Sequence, residues 1–143
     1  MTRALRAVVY ILSFMALARG LDYVTGNEHD MGRMWADEVA MPYLWGAACL
    51  VGGVAAVAAV LFHIPGLAIN AGIFNFAVNV MFAAQVVESR MSPVPWPPED
   101  VRIPVDHLGH AALWMAVAVV VWWREGVKRR RSEIFEEKID GPE

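Results

Sequence analysis

The residues best suited to chemistry stand together at Asp106-His107-Leu108-Gly109-His110. On a helix, Asp106 and His110 share a face at i, i+4, a spacing compatible with two metal ligands, and a carboxylate there can also fix an imidazole tautomer. Two ligands do not complete a site. A third would come from His29, Asp30, Glu99 or Asp100, and no spacing in the chain brings any of these to the pair. The plainer role is interfacial, because a negative charge near a helix N-terminus is favourable in itself. Cys49 is the only cysteine, which excludes an internal disulfide and a cysteine-built metal centre. Nucleophile motifs and glycine-rich phosphate loops are absent from the sequence. The chain is therefore expected to hold no metal and no cofactor and to be no enzyme, with Asp106, His107 and His110 forming a polar cluster at one end of a helix.

A second set of polar residues lies where polarity is costly. Asn75 and Asn79 fall within a long apolar stretch, at i, i+4, on the same side as Ala68, Gly72 and Ala83. An amide in hydrocarbon needs a partner, and helices in lipid associate through small residues and hydrogen bonds. A matching strip, Ala48, Gly52, Ala55 and Ala59, lies on the preceding apolar segment. The two strips are expected to pack together, with Gly52 and Gly72 allowing close approach and Asn75 and Asn79 bonding between helices. The rival reading makes the asparagines the lining of a polar path or an oligomer seam.

The elements that position these residues follow from hydropathy. Of 143 residues 57% are hydrophobic, and the mean hydropathy is +0.41. From Pro42 to Val87 there is no Lys, Arg, Asp or Glu. About 20 apolar residues at 1.5 Å each match the ~30 Å hydrocarbon core of a bilayer. The expected class is an all-α integral membrane protein, a small bundle of four transmembrane helices over about 5–24, 42–62, 65–87 and 104–123. Pro42, Pro65 and Pro104 suit helix starts, and His63-Ile64-Pro65-Gly66 forms the turn between the second and third helices. A short surface helix is expected near Met31 to Glu38, and an extended, proline-stiffened loop over Ser92 to Pro98.

The first helix admits two readings. Arg3 and Arg6, an apolar run and Ala16-Leu17-Ala18 resemble a signal peptide cleaved before Arg19. Leu21, Tyr23 and Val24 instead extend the run to spanning length, with Arg19 and Asp22 paired at i, i+3 and reaching for the interface. The uncleaved helix is the preferred reading.

Charge sets the expected orientation. Arg3, Arg6, Arg124, Lys128, Arg129, Arg130, Arg131 and Lys138 fall on one side of a four-span layout, and Arg19, Arg33, Arg90 and Arg102 on the other. By the positive-inside rule both ends are cytoplasmic, in a bacterial inner membrane. Residues 1–124 then form the transmembrane domain and 125–143 a charged cytoplasmic tail. The cluster Lys128, Arg129, Arg130, Arg131 is expected to face anionic lipid, each charge worth about 1 kcal/mol near the surface. Membrane lipid, a second copy of the chain or another membrane protein are the expected partners, and nucleic acid is not.

This layout, several short spans followed by the hydrophilic, basic tail Arg124 to Lys138, resembles small multi-spanning membrane proteins of bacteriophages of high-GC bacteria, including the holins of lysis cassettes. The resemblance implies a pore former that assembles through its small-residue faces. The residues themselves favour a structural or interaction component of the membrane without a catalytic site. A small transporter or enzyme using Asp106, His107 and His110 is the remaining class.

Overall fold

The computed structural model describes residues 1–25, 42–91 and 102–139. The expected surface helix near Met31 and the proline-rich loop lie outside the described residues, as do His29, Asp30, Glu99 and Asp100. Four helices make up almost all of what is described: α1 (Arg3–Thr25), α2 (Pro42–Leu61), α3 (Pro65–Met91) and α4 (Arg102–Ile139). Each is long and apolar enough to cross a membrane.

The helix boundaries follow local chemistry. Pro42 and Pro65 each open a helix at the position where a missing N–H leaves nothing unsatisfied. The α2–α3 turn closes through the Ile64 amide, which donates to the Ala59 carbonyl at 3.0 Å, while His63 takes a left-handed φ of 57°. This is a helix-ending motif in which glycine is the usual residue at the left-handed position, and histidine is among the side chains that tolerate it. α4 begins two residues before Pro104 and does not stop at the expected Trp123. It runs on through the charged tail to Ile139 as one 38-residue helix. Arg, Lys and Glu are good helix formers, and Glu125 and Lys128 pair at 3.2 Å along the surface.

The helices run up, down, up, down. α1 packs chiefly on α2 and α4 chiefly on α3, α2 joins the two pairs, and α1 and α4 touch little. Side chains from all four helices meet in one apolar cluster: Val9 and Leu12, Ala56 and Ala59, Ala68 and Ala71, Trp114 and Val117. A second cluster holds Trp45, Cys49, Val78 and Phe82. Along α3, Asn75 lies between the residues of the first cluster and those of the second. The outward faces carry large apolar side chains such as Ile11 and Phe14, 61% and 73% exposed, as a lipid-facing surface requires.

Small residues set how closely the helices approach. α1 meets α2 at Gly20 and Gly46, where a Cβ on either would lie 2.9 Å from the other's carbonyl oxygen. Gly52 faces Asn75 as expected, since a Cβ there would collide with the amide. Gly72 does not complete that α2–α3 contact. It seats α4 instead, with a Cβ placed 3.0 Å from both the Trp114 carbonyl oxygen and the Ala118 methyl. The single small-residue face read from the sequence thus serves two neighbours, because helical rotation turns Gly72 away from Asn75.

Leucine at Gly72 or isoleucine at Gly20 must push two backbones apart, and overpacking of this kind costs about 1–3 kcal/mol. Both variants are expected to lower the stability measured by detergent unfolding by that amount. Gly109→Ala, at a position with nothing within 4 Å of its Cβ, should leave it unchanged or raised.

Candidate functional site

Arg19 is the charged residue that α1 carries into the bundle. Its Nη1 donates to Asn79 Oδ1 on α3 at 3.1 Å and meets His107 Nδ1 on α4 at 3.1 Å. A guanidinium has only donors, so His107 must accept through Nδ1 and carry its proton on Nε2. Arg19 makes no ion pair with Asp22; Lys128–Glu125 is the ion pair found among the described residues. The expected local pairing is replaced by two neutral partners from distant segments.

Each partner is itself fixed. Asn79 donates through Nδ2 to the Asn75 carbonyl at 2.8 Å, which leaves its Oδ1 for Arg19. Asn75 donates in the same way to the Ala71 carbonyl, also at 2.8 Å. The asparagines were expected to bond between helices, yet both amide NH₂ groups turn back onto α3, and Asn79 Oδ1 alone crosses to another helix. Four-residue back-bonding meets the need for a partner without one from outside. His107 is 6% exposed and stacks on Phe82, centroids 5.2 Å apart. Phe82 also stacks on Tyr23 at 5.3 Å and meets Trp45 at 4.8 Å. Aromatic contacts from α1 and α2 thus surround the residue that holds His107.

The Asp106, His107, His110 cluster is divided by this arrangement. His107 points inward, whereas Asp106 is exposed and His110 lies at the surface. His110 Nδ1 donates to the Asp106 main-chain carbonyl at 2.8 Å rather than to its carboxylate. Among the described residues no three His, Cys, Asp or Glu side chains stand together as a metal would need. The sequence signal for Arg19 was present: a charge inside an apolar span is by itself a candidate functional residue.

The basic cluster is also split, at the opposite end of the bundle. A cleft of about 480 Å³ lies between the start of α3 and α4, with Arg129 and Arg130 in its lining beside Trp122 and Trp123. A second, of about 440 Å³, lies between the start of α1 and α4, with Arg124, Lys128 and Arg131 in its lining. Residues 124, 128 and 131 follow the i, i+4, i+7 row of a helix, which puts them on one stripe. No family model, curated protein or solved structure matches the chain.

The geometry around His107 has a spectroscopic consequence. Nitrogen-15 NMR of labelled protein in detergent should show His107 as the neutral Nε2–H tautomer, with Nδ1 unprotonated. Arg19→Met should remove the Nδ1 hydrogen-bond shift. A ring protonated on Nδ1 at neutral pH would contradict the contact with Arg19.

Proposed function

We propose that this protein is a non-catalytic structural or interaction component of a bacterial inner membrane, crossing it four times with both ends in the cytoplasm. The observation that carries the interaction role is the continuation of α4. Beyond Trp123 the helix runs 16 further residues to Ile139, about 24 Å at helical rise. It carries Ile134 and Phe135 exposed, at 55% and 66%. Apolar side chains on a helix that has left the apolar region favour contact with another protein.

A role without chemistry is favoured by the use already made of the polar residues. Asn75 and Asn79 are bonded to main-chain carbonyls of their own helix, and Asn79 and His107 to Arg19. A holin-like pore would assemble through the small-residue faces, but Gly52 and Gly72 are covered by Asn75, Trp114 and Ala118 of the same chain. Charge asymmetry about the four spans supports the orientation.

Two measurements in one experiment test this reading. A photo-crosslinking residue at Phe135, in cells that make the chain at native levels, should give one discrete protein adduct, while the same residue at Phe14 should give none. Membrane potential should stay intact when insertion is complete. Absence of an adduct at Phe135 would contradict the interaction role, and abrupt loss of potential would favour the pore former.

A further inference from the structure

We propose that the cleft between the start of α3 and α4 is a binding site for the phosphate headgroup of an anionic glycerophospholipid. The inference deepens the membrane reading and rests on it. The cleft of about 480 Å³ has Ile69, Trp122 and Trp123 as apolar walls and Arg129 and Arg130 as cationic members. Trp122 and Trp123 are 66% and 63% exposed, at the point where the apolar run of α4 gives way to charge. Tryptophan at such a boundary occupies the headgroup level of a bilayer. The site therefore offers guanidinium groups where a lipid phosphate lies and apolar surface where its chains begin.

The charges in the cleft favour an anion. Glu125 is the carboxylate in its lining, and it is paired with Lys128 at 3.2 Å. Arg129 and Arg130 are exposed and make no ion pair among the described residues. Arginine binds phosphate oxygens through two parallel hydrogen bonds, and basic pockets between helices recognise anionic headgroups. Space is supplied by Gly126, which lines the cleft and has nothing within 4 Å of a built Cβ. A Cβ at that position would meet only open space, so a larger side chain there can be accommodated and takes up room beside the cleft. The apolar walls decide between the two sources of phosphate: a lipid gains from them, and a free phosphate ion does not.

The test uses the full chain purified in a mild detergent, with retained lipid counted by native mass spectrometry after addition of phosphatidylglycerol or phosphatidylcholine. The intact protein should retain phosphatidylglycerol in preference. Arg129→Gln with Arg130→Gln should lower that retention by on the order of tenfold, as expected for two cationic groups beside an anionic headgroup. Gly126→Phe should lower it similarly with every charge kept. Arg3→Gln with Arg6→Gln removes two charges from residues that do not line the cleft, and it should change little. Excess inorganic phosphate should not displace the lipid. Equal loss in the Arg3/Arg6 variant, full retention in Gly126→Phe, or no preference for the anionic lipid would each overturn the site, and displacement by inorganic phosphate would assign it to the free ion. Resistance of the chain to alkaline extraction from membranes tests the underlying membrane reading separately.

Discussion

A guanidinium on an apolar helix has to be satisfied by its neighbours, because hydrocarbon offers it nothing, and Arg19 finds its partners only where α1, α3 and α4 converge. An arginine at the centre of a spanning helix costs about 2.5–3.5 kcal/mol on insertion scales, and Arg19, which lies toward the C-terminal end of α1, carries a smaller cost of the same kind. Two hydrogen bonds to Asn79 and His107 offset part of that cost, and the arginine is half-buried among its neighbours. The consequence is mechanical. α1 packs chiefly on α2 and has little contact with α4, so the Arg19 bonds are a direct polar link from the first helix to the second pair.

The rest of the bundle is arranged so that this link can form. Close approach at Gly20 and Gly46 sets α1 against α2 just beside Arg19. Gly72 brings α4 against α3, and the stacking of Phe82 on His107 holds the imidazole edge toward the guanidinium. Back-bonding of Asn79 onto α3 orients its carbonyl oxygen outward from the helix. Each of these is a local choice of residue type, and together they turn a charge into a tether between helix pairs.

Much of the architecture was legible in the sequence because hydropathy, proline and helical spacing are local signals. The four apolar helices, the starts at Pro42 and Pro65, and the placement of Gly52 against Asn75 all come from such signals. Three features were not legible. The end of α4 was set at Trp123 because the apolar signal stops there, but helix propensity continues through Arg, Lys and Glu to Ile139. Arg19 and Asp22, like Asp106 and His110, invited pairing at short range, whereas the bonds formed by Arg19 bridge 60 and 88 positions. Gly72 was assigned to α2 because its spacing to Asn75 suits one face, and only the position of α4 shows which neighbour it serves.

The central claim, that Arg19 couples α1 to α3 and α4 through Asn79 and His107, is tested most directly by double-mutant cycles in reversible detergent unfolding. Arg19→Met is combined with Asn79→Leu and, separately, with His107→Phe. Interhelical hydrogen bonds in membranes average about 0.6 kcal/mol and reach roughly 1.7, so the account predicts coupling energies of that size in both cycles. Additive effects, with coupling below about 0.3 kcal/mol in both, would contradict it and leave Arg19 as a charge that the bundle merely tolerates.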